Sequence, residues 1–245
     1  MKMGDSVHVG CCGFCVKQEE YFSRFHLLEV QKTFYKPPRV ETARRWRERA
    51  PKDFVFTVKA WQLITHPSTS PTYRKAGIDV SGRERAYGYF RPTREVLEAW
   101  ETTARIAEVL RAPIVIFQTP ASFAPTDENV ENISRFFGNI DRHGLVLGWE
   151  SRGAWPPELI REITKKFGLM DVVDPFRRFP ETERTAYFRL HGRGGYRYRY
   201  TDDDLNRLLE WCEAFEEAYC LFNNVYMAED AVRFVEMLER KWKRN

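Results

Sequence analysis

The stretch Pro113-Ile-Val-Ile-Phe-Gln118, followed by a helical pattern at 127–140 and by Leu145-Val-Leu-Gly-Trp-Glu150, forms one strand–helix–strand unit. Each predicted strand is a short apolar run that ends in a polar residue. Runs of this length, separated by helices, are typical of the buried strands of a parallel sheet. The rest of the chain repeats the pattern in both directions.

Eight such runs occur in the sequence. They are Val7–Gly10, Leu27–Gln31, Phe54–Lys59, Ile114–Gln118, Leu145–Glu150, Met170–Asp174, Tyr187–His191 and Tyr219–Asn223. Eight strands that alternate with helices predict an α/β fold, a TIM-like (β/α)8 barrel, and 245 residues is close to the usual length of one. We therefore predict a single domain over residues 1–245, with its functional residues at the C-terminal ends of the strands.

Three segments refine this prediction. The two-residue alternation of Glu29, Gln31 and Thr33 extends the second strand to Phe34, and residues 176–185 are too few for a full helix. Residues 61–92 break the rhythm, because they are rich in proline and glycine yet contain five aromatic residues. Long loops in compact domains are usually functional. We expect an ordered excursion over the barrel mouth.

Composition narrows the function classes. Hydrophobic residues at 43% and aromatic residues at 15% predict a folded protein, and no run reaches the ~18 apolar residues of a membrane span. No apolar segment follows the N-terminal residues, and five cysteines do not indicate a secreted disulfide scaffold. We expect a cytoplasmic protein that does not bind membranes. The net charge of +4 does not by itself indicate nucleic acid, and 30% charged residues are typical of thermophilic proteins.

Polar residues at the strand ends are the candidate site. Burying so many ionisable groups is costly unless they are paired or used. Lys59, Arg152 and Arg189 suit an anion such as phosphate or carboxylate. The predicted catalytic residues are Glu29, Glu150 and His191, and the predicted substrate-binding residues are Gln31, Lys59, Gln118, Arg152, Asp174, Arg189 and Asn223. The competing interpretation is an ion-pair network that closes the top of the barrel.

Several of these residues lie in motifs that resemble one family along nearly the whole chain. The motifs are Val9–Phe14, Glu29–Tyr35, Val58–Ala60, Ile64–His66, Phe117–Pro120, Trp149–Arg152, Tyr187–Gly192 and Phe222–Asn224. They resemble the YecE-like family, also called domain of unknown function 72. The resemblance implies a TIM-like barrel and no established activity, although some members have been compared with metal-dependent endonucleases of related shape.

The sequence departs from that family's pattern at two places. Many members have Thr-Ser-Gly-Trp where Cys11-Cys12-Gly13-Phe14 stand here, and asparagine where Gln31 stands. A function of these cysteines would therefore belong to this branch alone.

Two alternatives use other residues. A metal could be held by the carboxylates with His66 and His191, or an iron–sulfur cluster or zinc by Cys11, Cys12 and Cys15, although small buried thiols are the more ordinary interpretation. A nucleic-acid rim is predicted because arginine neutralises phosphates and tyrosine stacks on bases. Its residues are Arg193, Tyr196, Arg197, Tyr198 and Arg199.

The sequence thus supports three hypotheses. The first is a protein that binds a phosphorylated or anionic substrate, such as a nucleotide or nucleic acid, and hydrolyses it. The second is a non-catalytic nucleic-acid-binding module, and the third is a metal or iron–sulfur protein. The cofactor and the oligomeric state are not predicted, and absence of a cofactor is the simplest expectation.

Overall fold

The computed structural model describes residues 6–242. Its eight strands form a closed parallel barrel in which their order matches their order in the sequence. The strands are β1 (Val7–Cys12), β2 (Leu27–Val30), β3 (Val55–Lys59), β4 (Ile114–Gln118), β5 (Val146–Glu150), β6 (Met170–Val173), β7 (Thr185–Leu190) and β8 (Glu217–Phe222). The helices are α1 (Gln18–Arg24), α2 (Lys32–Tyr35), α3 (Val40–Arg49), α4 (Gln62–Thr65), α5 (Pro71–Ala76), α6 (Arg94–Leu110), α7 (Asp127–Asn139), α8 (Pro157–Phe167), α9 (Asp202–Cys212) and α10 (Met227–Trp242). The predicted (β/α)8 fold is confirmed.

The chain divides into two compact units. Unit 1 includes residues 6–29, 50–55 and 170–242, and unit 2 consists of residues 30–49 and 56–169. The prediction of a single domain stays a prediction. Among residues 6–242, no helix is both long enough and apolar enough to cross a membrane.

Unit 1 contains a parallel run of strands in the order β6, β7, β8, β1 and the start of β2. Gly10 in β1 pairs with Leu27 in β2, and a Cβ at Gly10 would lie 2.0 Å from the Leu27 carbonyl oxygen. Only glycine permits this approach of the two backbones. Helix α10 packs against β1 and β8. The strand bounds place Cys12, Glu29 and Arg189 at or next to the C-terminal ends of β1, β2 and β7.

Unit 2 pairs β3 with β4 and β4 with β5, also in parallel. Its core is a cluster of aromatic rings in which Phe90 lies 5.2 Å from both Phe136 and Phe137, and Trp100 lies 5.6 Å from Phe117. Such ring pairs contribute about 0.5–1.5 kcal/mol each beyond the area they bury. The β4–β5 register sets Gln118 opposite Glu150, so that two predicted site residues are neighbours.

The excursion at residues 61–92 is structured. It contains α4, α5 and a 3-10 turn at Glu84–Ala86. The Tyr73 hydroxyl donates to the His66 carbonyl at 2.9 Å, and the Phe90 amide donates to the Ile64 carbonyl at 2.9 Å. Tyr73, Tyr87 and Phe90 are buried, whereas Trp61 and Tyr89 are partly exposed. Its location over the barrel mouth stays a prediction.

Five strand ends differ from the prediction: β6, β7 and β8 end one residue earlier than predicted, and the ends of β1 and β2 need a closer description. Strand β1 continues through Cys11 and Cys12, and β2 stops at Val30 instead of reaching Phe34. Gln31 has helical backbone angles and Thr33 lies in α2, where its hydroxyl donates to the Val30 carbonyl at 2.7 Å. The two-residue alternation was wrong beyond Val30, because this local hydrogen bonding replaces the strand ladder. The segment at 176–184 contains no helix, as predicted.

Candidate functional site

Lys59, the last residue of β3, places an ammonium group in the interior of unit 2. The residue is 6% exposed, and its Nζ donates to Gln118 Oε1 at 3.0 Å. Nζ also lies 3.9 Å from the centre of the Phe34 ring, within the range of a cation–π contact. The Thr33 hydroxyl lies 2.6 Å from the Lys59 carbonyl oxygen, so its single proton is shared between this oxygen and the Val30 carbonyl oxygen. The amide oxygen and the ring face offset part of the hydration that the ammonium group loses.

Glu150 and Arg152 form an ion pair at the end of β5. Arg152 Nε donates to Glu150 Oε1 at 3.0 Å, and the Glu150 side chain is 7% exposed whereas that of Arg152 is 41% exposed. The amide of Thr119 donates to the Glu150 carbonyl at 3.0 Å, and this contact joins the ends of β4 and β5. The carboxylate is therefore held inside, and the guanidinium extends from it to solvent.

His66, directly after α4, is the residue that connects these groups. Burial, and then the charges of Lys59 and Arg152, lower its pKa from 6.5 to about 3, while the charge of Glu150 acts in the opposite direction. Its Nδ1 lies 2.8 Å from the Thr65 hydroxyl, and its ring meets the edge of Phe34 at 4.8 Å. The imidazole is neutral at pH 7, so it can exchange hydrogen bonds but adds no charge.

We call Lys59, His66, Gln118, Glu150 and Arg152 the β3–β5 cluster. Two cations against one carboxylate leave this cluster with an excess of positive charge, and the neutral imidazole and the amide add hydrogen-bonding groups. Such a set can bind an anion, and its carboxylate can accept a proton. Lys59, Gln118, Glu150 and Arg152 were predicted as site residues from the sequence, whereas His66 was predicted only as a candidate metal ligand. The motif Ile64-Thr65-His66 was the signal that could have added it.

Unit 1 contains the predicted residues Glu29 and Arg189, which are both fully buried. Arg189 donates from Nε to Glu29 Oε2 at 3.0 Å and from Nη2 to Glu29 Oε1 at 2.9 Å. The Tyr187 hydroxyl donates to Glu29 Oε2 at 2.9 Å. Three donated hydrogen bonds therefore converge on the Glu29 carboxylate. The pair resembles an interior ion pair more than an exposed anion site.

The remaining predicted strand-end residues of unit 1 are divided between two turns. Asp174 accepts from the His191 amide at 3.1 Å and from the Phe176 amide at 3.1 Å, and His191 Nδ1 lies 3.6 Å from the same carboxylate. The backbone amide of Asn223 donates to the Leu190 carbonyl at 2.9 Å. Asp174 thus orients His191. Gln31, in unit 2, is half-buried at the start of α2.

The arginine–tyrosine loop after β7 is partly folded onto one carboxylate. Asp204 accepts from Arg193 Nη1 at 2.7 Å and from the Tyr198 hydroxyl at 2.6 Å. Tyr196 is 54% exposed, and Arg197 and Arg199 are exposed as well. The predicted rim therefore separates into two residues that hold the loop and three that face solvent.

The three neighbouring thiols do not form one group. Cys11 Sγ lies 3.7 Å from Cys15 Sγ, whereas Cys12 Sγ accepts from Arg189 Nη2 at 3.7 Å. Within residues 6–242, no three His, Cys, Asp or Glu side chains are arranged so that they could hold a metal ion.

An open cleft of about 660 Å³ lies in the excursion of unit 2. Serine and threonine side chains at 68–70, together with Arg74 and Asp79, line part of it. None of the predicted site residues lines this cleft, so its size does not make it the candidate site.

The sequence profile described as Protein of unknown function DUF72 matches residues 17–245. The chain belongs to the DUF72 family. The YecE-like resemblance predicted from the motifs is thereby confirmed. Comparison with curated proteins finds no match to this DUF72 chain.

Solved structures of other proteins are similar to this DUF72 member. A DUF72 family protein from Enterococcus faecalis V583 is 21% identical, with a TM-score of 0.72 over 96% of this chain and 98% of that chain. A DUF72 family protein from Thermotoga maritima MSB8 is 24% identical, with a TM-score of 0.67 over 96% and 99%. Endonuclease IV from Thermus thermophilus is 10% identical, with a TM-score of 0.51 over 98% and 99%. At these identities the likeness is one of fold.

Proposed function

We propose that this protein binds a small phosphorylated or otherwise anionic substrate at the β3–β5 cluster and hydrolyses it there. Lys59 and Arg152 bind the anion, Gln118 and His66 orient it, and Glu150 is the proton acceptor. The observation that carries the proposal is the placement of two cations at or just after the ends of β3 and β5: the buried Lys59 ammonium group donates to Gln118 at 3.0 Å, and the Arg152 guanidinium is 41% exposed. Burial first, and then the charges of Lys59 and Arg152, lower the pKa of His66 to about 3, so the imidazole adds a hydrogen-bonding group and no charge.

The exposed part of the cluster is Arg152. Its guanidinium reaches solvent from a buried carboxylate, so an anion that approaches can take one of its donor groups while Glu150 keeps another. Transfer of the arginine from Glu150 to the substrate leaves the carboxylate less well paired. A less well paired buried carboxylate has a higher proton affinity, which suits a general base. Glu29 and His191 lie in unit 1 and stay predictions as catalytic residues.

The binding test uses inorganic phosphate and pyrophosphate in calorimetric titrations at low ionic strength. Arg152→Gln removes a charge-assisted hydrogen bond worth about 1.5–3 kcal/mol, so binding should weaken roughly 10- to 150-fold. Arg105→Gln is the matched control, because Arg105 is an exposed arginine on α6 of the same unit and is no member of the cluster. Equal affinities of Arg152→Gln and wild type would reject the site.

The hydrolysis test measures phosphate release from p-nitrophenyl phosphate and from nucleoside triphosphates. We expect Glu150→Gln to abolish turnover while pyrophosphate still binds, because the amide cannot accept the proton. Turnover by Glu150→Gln at the wild-type rate would remove the catalytic part of the proposal and leave the binding part intact.

A second candidate function is nucleic-acid binding by the loop after β7. The observation that favours it is the exposure of Tyr196, Arg197 and Arg199 on a loop held in place by Asp204. The similarity to endonuclease IV is one of fold and does not support this candidate by itself. In fluorescence anisotropy with single-stranded DNA, loss of both Arg197 and Arg199 should reduce the salt slope by about 1.4, at ~0.7 per phosphate contact. Binding that is independent of salt would reject this candidate.

A further inference from the structure

Cys11 and Cys15 are two thiols in contact, one inside unit 1 and one at its surface. Cys11 is fully buried in β1, and Cys15 is partly exposed. Gly13, with φ of 105°, turns the chain between them, and its amide donates to the Cys11 carbonyl at 3.0 Å. The turn brings Cys15 Sγ to 3.7 Å from Cys11 Sγ. A disulfide requires about 2.05 Å, so the two sulfurs must approach each other by about 1.7 Å to form one.

Cys12 is not part of this pair. Successive residues of a strand point to opposite faces, and Cys12 Sγ accepts from Arg189 Nη2 at 3.7 Å. Cys11 is therefore the thiol that Cys15 meets, and the two form a pair with one accessible member.

The hydrogen bonds assign different chemistry to the two thiols. With both protonated, Cys15 donates to Cys11, and Cys11 donates to the Met227 carbonyl at 3.4 Å. When Cys15 loses its proton, Cys11 can turn and donate to the thiolate, which lowers the pKa of Cys15. Burial raises the pKa of Cys11 well above the usual thiol value. The exposed thiol is thus the better nucleophile, and the buried one stays protonated.

We propose that Cys15 is a site of oxidation by small hydroperoxides, with Cys11 as the resolving thiol and an intramolecular Cys11–Cys15 disulfide as the product. The Cys15 thiolate attacks hydrogen peroxide, the O–O bond breaks, and a sulfenic acid and hydroxide result. Cys11 sulfur then attacks the sulfenic sulfur, the S–O bond breaks and the S–S bond forms. The proton of Cys11 and the one lost by Cys15 leave in the two water molecules, so two thiols are oxidised and one peroxide is reduced.

The chain contains an internal control for this proposal. Cys212 in α9 and Cys220 in β8 have sulfurs 3.5 Å apart, which is as close as the proposed pair. Both are buried, and burial raises the pKa of Cys220 well above its usual value. If proximity alone determined oxidation, both pairs would react. If an exposed nucleophile is required, only Cys11–Cys15 will.

The experiment treats the reduced, full-length protein with hydrogen peroxide, blocks free thiols, and maps disulfides by mass spectrometry without reductant. We expect a Cys11–Cys15 disulfide before any between Cys212 and Cys220. Iodoacetamide should label Cys15 at least about tenfold faster than Cys212 in the folded protein. A Cys212–Cys220 disulfide that forms first, or equal labelling of the two residues, would overturn the proposal.

Two variants separate the steps. Cys11→Ser should stop at the Cys15 sulfenic acid, which dimedone traps, and Cys15→Ser should leave Cys11 reduced. Peroxide consumption by Cys15→Ser at the wild-type rate contradicts the assigned nucleophile. Because mapping of the wild-type chain does not depend on either variant, a variant that fails to fold leaves the test intact. The outcome is also independent of the proposed anion site, since all these residues lie in unit 1.

Discussion

Replacing Arg189 by methionine should destabilise the protein more than any exposed substitution. The guanidinium and the Glu29 carboxylate are both fully buried, and two hydrogen bonds of 2.9 and 3.0 Å join them. Methionine fills much of the space of the arginine stem but leaves the carboxylate without its cation. The Tyr187 hydroxyl, at 2.9 Å, still donates to the carboxylate in this variant.

The size of the effect follows from those contacts. Each hydrogen bond to a charged group is worth about 1.5–3 kcal/mol, and two are lost. Breaking a buried ion pair by removing one partner costs about 3–5 kcal/mol, since an uncompensated charge stays in the interior. We therefore expect the free energy of unfolding to fall by about 3–5 kcal/mol. Tyr187→Phe removes one donor and no charge, so its cost should be about 1.5–3 kcal/mol.

Equilibrium urea unfolding, followed by tryptophan fluorescence and by far-UV circular dichroism, measures both values. The double variant Glu29→Gln/Arg189→Met removes both charges, and we expect it to be more stable than Arg189→Met alone. A cost below about 1 kcal/mol for Arg189→Met, or a double variant as unstable as the sum of its single changes, would refute this description of the pair.

Two further predictions concern unit 2 and the loop after β7. The pKa of His66 is lowered from 6.5 to about 3, so below pH 6.5 the unfolded chain binds a proton that the folded chain does not. The free energy of unfolding should therefore fall by about 2 kcal/mol from pH 7 to pH 5 in the wild type relative to His66→Gln, as measured by urea unfolding at both pH values. An equal pH dependence of the two proteins would contradict the lowered pKa. Gly192 has φ of 88°, and a Cβ there would lie 2.3 Å from the Gly195 carbonyl oxygen, whereas Gly77 has φ of 63° and no atom within 4 Å of its Cβ position. Gly192→Ala should therefore lower Tm more than Gly77→Ala. The cost of Gly77→Ala is the left-handed backbone conformation alone, about 1–2 kcal/mol.

The sequence predicted the fold well because parallel strands buried on both faces have a strong signature. The runs around β4 and β5 were found almost residue for residue. The largest error came where local hydrogen bonding ends a strand. After Val30, whose carbonyl accepts a hydrogen bond from the Thr33 hydroxyl, the chain enters α2. Alternation of polar and apolar residues continues through such a point, so the pattern alone does not reveal where the strand ends.

Prediction of the site was less complete, because a strand-end position tells which residues face one end of a barrel but not which charges pair. Arg152 and Arg189 were predicted to have the same anion-binding role. The structure leaves the first side chain 41% exposed beside Glu150, and buries the second completely against Glu29. An arginine whose donors are taken by an interior carboxylate has fewer left for a ligand, and exchanging it removes stability first. For this reason substitution of Arg152, and not of Arg189, can separate ligand binding from folding.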